Sequence, residues 1–279
     1  MKRTILMLVM TAMVAPQLMA GGVWMASLPQ ARREAKKNDQ LILVDMFAEW
    51  CGWCHRMEKE VFTSAKFQST SRNLVLLRLD TEDGKEGSTM ARELEVNQLP
   101  TFLLLTSDLT VAGVINGYSP PDEFVKRIEA ARAEYASFLK RVSEADKLDD
   151  KGRLALTKEL MTRRSLPTVE LLTTRLVSKK GLPADLRDEA YYYLATSQAL
   201  QKKFDVSIKT IAKFQATAQK GSYAEKIQML LAQDYMEKSD FSSALRELKA
   251  FKTRYPASPL GPNADYFIPL VEQQLAKKQ

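Results

Sequence analysis

The sequence has few of the residues that build disulfide networks and metal sites, with two cysteines and one histidine among 279 residues. All three lie in one stretch, EWCGWCHR at 49–56. Two cysteines three positions apart cannot link distant parts of a fold, so we expect their pairing to serve chemistry rather than stability. Two cysteines and one histidine also give too few ligands for a closed tetrahedral zinc site. We therefore predict no metal site.

The N-terminal apolar run is too short to cross a membrane. ILMLVMTAMVA at 5–15 falls well below the ~20 residues that a span needs. Lys2 and Arg3 precede it, and small residues follow at 20–22. We predict a secretory signal peptide over residues 1–20, cleaved near Ala20, and hence a periplasmic or otherwise exported protein. Anchoring by an uncleaved N-terminal segment is the alternative.

Concentrated positive charge is also missing, although the formal net charge is +7. The basic residues are scattered among acids, as in ARREAKK and EKEVF. No basic run alternates with aromatic residues, as nucleic-acid binding would require. We predict no nucleic-acid partner.

Residues 24–142 alternate between helix and strand patterns. Four runs have the length and apolar composition of strands, and the last two form an antiparallel hairpin: 41–47, 74–80, 101–106 and 110–115. A helix is predicted at 26–38, and a long helix follows the capping sequence SPPD at 119–122. The pattern predicts a β-α-β-β-α core with an additional helix in front.

The cysteine motif is predicted to stand where the first buried strand turns into a helix, because Cys54, Met57 and Val61 recur at helical spacing. Unpaired backbone N–H groups and the helix dipole stabilise a thiolate at such a position. They lower a cysteine pKa from about 8.5 towards about 3.5–7.5. Cys51 is therefore the predicted attacking thiol, and the more shielded Cys54 is predicted to cleave the mixed disulfide formed at Cys51.

The same residues also match CxxCH, the attachment motif of a covalent c-type haem, with His55 as proximal ligand. A haem site needs an apolar pocket around the ring. Here a predicted buried strand precedes the motif and a Leu-Pro-Thr sequence follows it at 99–101. These features favour a redox dithiol over a haem site.

VDMFAEWCGWC at 44–54, NQLPTFLLL at 97–105 and Gly117 resemble the thioredoxin family. The flanking sequences ARREAKKNDQLILVD and CHRMEKEVF resemble its exported branch. The resemblance covers about residues 24–140. It implies an α/β thioredoxin fold and a protein-thiol:disulfide oxidoreductase without a cofactor.

The resemblance also implies roles for residues around the cysteines. Asp45 corresponds to the buried carboxylate that exchanges a proton with Cys54. Pro100 corresponds to the cis-proline beside the active site. Leu99 and Thr101 flank that proline and are expected to contact an extended substrate chain, Leu99 through its backbone.

Two tryptophans complete the predicted substrate-binding set. Trp50 matches the aromatic residue that packs beside the cysteines, and Trp53 replaces a common proline between them. The two residues between the cysteines help to set the reduction potential. Because Asp45 and Leu99 are thioredoxin-like, we expect a reductase of client disulfides, supplied with electrons by a membrane thiol protein. A disulfide oxidase or isomerase is the alternative.

Strand patterns disappear after about residue 140, and seven helices are predicted: 151–163, 167–179, 184–202, 205–219, 222–237, 241–254 and 263–277. A shift of 37 residues superposes apolar positions of two helix pairs, such as Leu194 on Leu231 and Phe214 on Phe251. Residues 184–279 thereby resemble tetratricopeptide repeats. We predict a thioredoxin-like domain at 21–142 and an all-α helical-repeat domain at 143–279.

The helical half lacks histidine, cysteine and any glycine-rich phosphate loop, so we expect it to bind rather than to catalyse. Stacked helix pairs bind a peptide or a protein partner, and packing against the catalytic domain is the alternative. Tyr191, Tyr192 and Tyr193 cannot all face one core, so at least one ring is expected to be exposed or at an interface. A non-catalytic binding adaptor of the cell envelope is the competing function.

Overall fold

The computed structural model describes residues 23–216 and 223–277. The predicted signal peptide at 1–20 lies outside the described residues. Two compact units are present. One comprises the described residues up to Phe102 together with Asn116–Lys126, and the other comprises Leu103–Ile115 and the described residues from Arg127 onward. The domain boundaries near residues 20 and 142 stay predictions.

Four strands form one mixed sheet, as the apolar runs predict: β1 (Leu41–Phe47), β2 (Leu74–Asp80), β3 (Thr101–Leu105) and β4 (Val111–Asn116). Their order in the sheet is β2-β1-β3-β4. β1 and β2 are parallel, in register from Leu41 opposite Leu74 to Phe47 opposite Asp80. β3 returns as β4 through a hairpin closed by Thr106 N–H, which donates to the Thr110 carbonyl at 3.0 Å. The predicted thioredoxin-type α/β fold is confirmed.

Five helices accompany the sheet: α1 (Leu28–Asn38), α2 (Gly52–Arg56), α3 (Ala65–Ser71), α4 (Glu86–Glu93) and α5 (Pro121–Ser143). α2 continues into a π-helical turn, Met57–Phe62. The sequence pattern predicts three of these helices: α1, α2 with the cysteine motif, and α5. It does not predict α3 or α4, so the core has one more crossover helix than expected.

Aromatic packing fixes the cysteine-bearing helix over the sheet. Phe62, at the end of the π-helical turn, lies edge-on to Phe102 of β3, with ring centroids 6.1 Å apart. Phe102 in turn packs against Phe124 of α5 at 4.6 Å. Met57 and Val61 on the same helical turn are fully buried. Each such side chain contributes roughly 1.5–3 kcal/mol by leaving water, so the position of the motif is set by the core.

The contact between α4 and the end of β2 depends on a glycine. A Cβ atom on Gly87 would lie 1.9 Å from the carbonyl oxygen of Asp80. The carboxylate of Asp83 accepts hydrogen bonds from the backbone N–H groups of Lys85, Gly87 and Ser88. The start of α4 is therefore held by the Asp83 carboxylate and by the close approach of Gly87 to β2.

The second unit contains seven further helices, at the predicted places within a few residues: α6 (Asp150–Thr162), α7 (Leu166–Val177), α8 (Ala184–Leu200), α9 (Phe204–Gln215), α10 (Ala224–Glu237), α11 (Phe241–Arg254) and α12 (Gly261–Ala276). The predicted ends of the fourth and fifth of these helices fall partly outside the described residues. Within the described residues, no helix is both long enough and apolar enough to span a membrane.

Three successive helix pairs share one turn geometry. A residue with positive φ ends the first helix of each pair: Arg164 (54°), Lys202 (59°) and Ser239 (58°). The next residue in each turn donates its N–H to a carbonyl five residues back, at 2.9 Å, which is the Schellman arrangement. The structure thus contains one more repeated pair, α6 and α7, than the 37-residue shift reveals.

Buried small or branched residues repeat with the same spacing in the three pairs. One position in each first helix and one in each second helix are fully buried: Thr157, Ala195 and Ala232, and Val169, Ser207 and Ala244. Equivalent positions of the first and second pairs are 38 residues apart, and those of the second and third pairs are 37 residues apart. The residue types differ between pairs, and the first interval is one residue longer than the second. A comparison at a fixed shift of 37 residues therefore misses the first pair.

Arg163 joins the turn after α6 to strand β4. Val111 N–H donates to the Arg163 carbonyl at 2.6 Å. The guanidinium lies 3.3 Å from the carbonyls of Val111 and Ala112, pairs with Glu134, and stacks over the ring of Phe138 at 4.6 Å. The arginine therefore satisfies backbone groups along β4 that would otherwise form an open sheet edge.

Candidate active site

The two cysteines form a disulfide at the start of α2, with their Cα atoms 5.3 Å apart. Between β1 and α2 the chain forms a turn in which Cys51 N–H donates to the Ala48 carbonyl at 3.0 Å. Cys51 is the N-cap of α2, and its sulfur accepts the Cys54 backbone N–H at 3.1 Å. An N–H aimed at sulfur favours the thiolate over the thiol once the disulfide is reduced. Cys51 is 3% exposed and Cys54 is 0% exposed, so Cys54 is the more deeply buried of the two.

Asp45 is a fully buried carboxyl on β1, opposite Arg78 on β2 in the parallel register. Arg78 Nε lies 3.2 Å from Asp45 Oδ2, but its geometry gives no hydrogen bond, and neither carboxyl oxygen accepts one within the described part of the chain. Burial raises the pKa of Asp45 from its ordinary 3.8 to about 7; the Arg78 charge opposes the rise and Glu58 adds to it. The group can therefore gain and lose a proton near neutral pH.

Glu58 connects Asp45 to the helix that carries the cysteines. It lies four residues after Cys54, which places the two residues on one helical face. Its carboxylate pairs with Arg78, and His55 Nδ1 lies 3.9 Å from the same oxygen. Arg78 thus lies between two carboxylates, that of Asp45 on β1 and that of Glu58 on the helical turn.

The segment with Pro100 lies at the start of β3. The Leu99–Pro100 peptide bond is cis. Gly117 N–H, after β4, donates to the Pro100 carbonyl at 2.8 Å. Leu99 is half-buried, whereas Thr101 is buried and its hydroxyl donates to the Gln98 carbonyl at 2.8 Å. Contact of Leu99 and Thr101 with a substrate chain stays a prediction.

Both predicted tryptophans are at the surface. Trp50 is 69% exposed and donates its indole N–H to Glu82 at 2.9 Å. Trp53 is 54% exposed and lies beside Tyr118, with ring centroids 5.5 Å apart. Large exposed aromatic surfaces that flank Cys51 in the sequence suit the binding of another chain.

Sequence reasoning missed Arg78, Glu58 and Tyr118. Arg78 had a readable signal, because LILVDMF and LVLLRLD both have a charged residue at the fifth position. Two parallel strands in register bring these opposite charges side by side. Glu58 and Tyr118 carry no comparable signal, since one resembles a solvated helix residue and the other a loop residue.

The site favours a dithiol over haem. The two sulfurs that a covalent haem would need are bonded to each other, and His55 Nε2 donates to the Glu49 carbonyl at 2.9 Å. Across residues 23–216 and 223–277, no cluster of three or more His, Cys, Asp or Glu side chains is arranged to hold a metal ion.

Residues 28–132 match the family model of the thioredoxin-like domain. The chain is 30% identical over 109 residues to the thiol:disulfide interchange protein DsbD of Yersinia pestis (strain Pestoides F), a match covering 37% of this chain and 18% of that protein. It is 32% identical over 96 residues to the chloroplastic F-type thioredoxin of Spinacia oleracea, covering 34% and 47% respectively. The chain thus spans about a fifth of the first relative and about half of the second.

A solved structure, the oxidised C-terminal domain of Neisseria meningitidis DsbD, is 17% identical; the comparison covers 39% of this chain and 100% of that domain, with a TM-score of 0.36. The family match contains both cysteines, Asp45 and the Pro100 segment. Residues 28–132 are therefore a thioredoxin-like domain, and the Cys51–Cys54 pair points to thiol–disulfide oxidoreductase chemistry.

Proposed function

We propose that the protein is an exported protein-thiol:disulfide oxidoreductase that reduces client disulfides through Cys51 and Cys54. One observation carries the proposal. The Cys51 sulfur stands at a helix start, receives the Cys54 amide N–H at 3.1 Å and is bonded to Cys54. This arrangement favours the Cys51 thiolate and keeps the resolving sulfur next to it.

The reaction has two exchange steps. The Cys51 thiolate attacks one sulfur of a client disulfide, which forms a mixed disulfide and releases the other client sulfur as a thiolate that takes up a proton. The Cys54 thiolate then attacks the Cys51 sulfur, which releases the second client thiol and leaves the Cys51–Cys54 disulfide. Two electrons and two protons pass to the client.

Asp45 supports the second step. Cys54 is fully buried, so its proton needs a buried acceptor. The pKa of Asp45 is raised to about 7 by burial, so its carboxyl is matched to that transfer near neutral pH. We assign Asp45 as the group that takes the Cys54 proton, with Arg78 and Glu58 tuning its charge.

Client binding is assigned to the surface around Cys51. An extended client chain would pair with the Leu99 backbone beside Pro100 and Thr101, as implied by the thioredoxin resemblance. Trp50, directly before Cys51, and Trp53, directly before Cys54, supply exposed apolar area.

A dithiol donor must reduce Cys51–Cys54 after each cycle. We propose a membrane thiol protein as that donor. The matched relative in Yersinia pestis is named a thiol:disulfide interchange protein, and the apolar run at 5–15 supports export to the periplasm.

The helical pairs are proposed to recruit a client or a partner protein, in the manner of the tetratricopeptide repeats that they resemble. The predicted tyrosine run supports this assignment. Tyr191, Tyr192 and Tyr193 are all half-buried, so none of the three is fully enclosed in the core. Tyr192 packs on Tyr223 at 5.3 Å, and the exposed Lys226 ammonium lies 5.0 Å from the centre of the Tyr223 ring.

Reduction of insulin disulfides with dithiothreitol as donor tests the catalytic assignment. We expect activity from the wild type, and loss to the uncatalysed rate in Cys51→Ser. Equal rates for the two proteins would reject catalysis and favour the alternative of a binding adaptor.

Equilibration with glutathione tests the direction. A reductase requires a potential below about −180 mV. A higher value would favour the alternative of a disulfide oxidase or isomerase.

A further inference from the structure

Four side chains beside the disulfide form a cluster that thiol exchange itself does not use. Trp53 and Tyr118 are in ring contact, with centroids 5.5 Å apart. The Arg56 guanidinium carbon lies 4.6 Å from the centre of the Tyr118 ring and 5.5 Å from that of Trp53. Glu60 completes the cluster. We call these four residues the aromatic platform.

The charges of the aromatic platform are balanced internally. Arg56 Nε lies 2.9 Å from Glu60 Oε1, and the Tyr118 hydroxyl donates to Glu60 Oε2 at 2.5 Å. The Tyr118 hydroxyl and then the Arg56 guanidinium hold the pKa of Glu60 below its ordinary value. Glu60 therefore stays ionised, fixes both neighbours, and leaves a surface of two rings with no net charge.

The aromatic platform connects the two segments assigned to client binding. Trp53 is between the cysteines, and Tyr118 directly follows Gly117, whose N–H donates to the Pro100 carbonyl at 2.8 Å. Gly117 has a φ of +76°, in the left-handed region that suits glycine. Trp53 is nevertheless 54% exposed. The cluster thus offers an aromatic surface without net charge, and one of its rings belongs to the residue between the two cysteines.

We propose that the aromatic platform determines client specificity, by selecting chains with an aromatic or large apolar residue next to the reacting cysteine. The inference rests on the proposed reductase function and names its substrate class. An incoming aromatic ring would bury exposed indole surface and gain ring contacts. A charged client side chain would lose hydration there without meeting an unbalanced opposite charge.

Two disulfide-bonded peptides that differ only in the residue beside the cysteine, Phe or Glu, test the inference. The rate of their reduction by the reduced protein gives kcat/KM for each. We expect the wild type to prefer the Phe peptide about tenfold, mainly through KM, because one to two ring contacts supply that much discrimination. Tyr118→Ala should bring the ratio close to one, whereas Tyr118→Phe keeps the ring and should keep most of the preference.

The ratio of two substrates on one protein cancels any change in thiol reactivity or in the folded fraction. Tyr266→Ala is the control, because Tyr266 is a 66% exposed tyrosine on α12 that is not part of the aromatic platform. A wild type without preference, or a Tyr118→Ala variant that keeps it, would overturn the inference while thiol exchange stands. If the wild type reduced neither peptide nor hydroxyethyl disulfide, the proposed function itself would fail.

Discussion

The buried carboxyl of Asp45 makes the folded protein less stable as pH rises, and Asp45→Asn should remove that effect. The folded pKa is about 7, whereas the ordinary value is 3.8. Well below pH 4 both states hold the proton, and there is no cost. Between pH 4 and 7 the folded state binds more protons than the unfolded state, so stability falls with rising pH. Three units at ~1.36 kcal/mol each give a full cost of about 4 kcal/mol above pH 7.

Urea unfolding of the oxidised protein at pH 4, 6 and 8 measures this cost. The disulfide keeps both cysteines from titrating, and the three tryptophans, Trp24, Trp50 and Trp53, all report on the part of the chain that holds Asp45. We expect Asp45→Asn to gain less than about 1 kcal/mol relative to wild type at pH 4 and about 4 kcal/mol at pH 8.

Any cost of burying the amide is the same at every pH, so only the change of the difference with pH carries the test. Asp39→Asn removes an exposed aspartate at the end of α1 and is the control for the loss of one charge. A difference between wild type and Asp45→Asn that stays constant from pH 4 to pH 8 would refute the reasoning.

Three further predictions concern stability and can be checked by thermal or urea unfolding. Gly87→Ala should cost at least about 2 kcal/mol, because the new Cβ meets backbone, whereas Gly261→Ala, where the space is open, should change stability by less than about 0.5 kcal/mol. Lys202→Gly should stabilise by about 0.5–1 kcal/mol, because φ is +59° there. Arg163→Ala should cost about 2–3 kcal/mol, and Arg163→Lys should recover less than half, because the single lysine nitrogen cannot replace both Nη1 at the two carbonyls and Nη2 at Glu134. Equal effects of the two glycine changes, a destabilising Lys202→Gly, or full rescue by lysine would each contradict the corresponding argument.

The sheet and most helices could be predicted from the sequence because their apolar periodicity is strong. Helix α4, EGSTMARE, could not, because it buries only Met90 and the small Gly87 against the rest of the chain. Its position depends on the Asp83 cap and on the close approach of Gly87 to β2. Neither is visible as a pattern of apolar residues.

The candidate site divides in the same way. Cys51 and Cys54 could be placed at a helix start from local spacing alone. The Asp45–Arg78–Glu58 chain and the contact of Tyr118 with Trp53 depend on which strands and loops become neighbours. Such long-range pairs follow from the tertiary fold, so a single sequence does not specify them.

The most direct test of the account is trapping of a mixed disulfide. Reduced Cys54→Ser protein, mixed with a disulfide-bonded peptide, should give a stable adduct located at Cys51 by mass spectrometry, because the attacking sulfur is present and the resolving sulfur is not. Reduced Cys51→Ser protein should form at most a slow trace, since Cys54 is fully buried. Equal adduct formation by the two variants, or an adduct only through Cys54, would contradict the assignment of Cys51 as the attacking thiol.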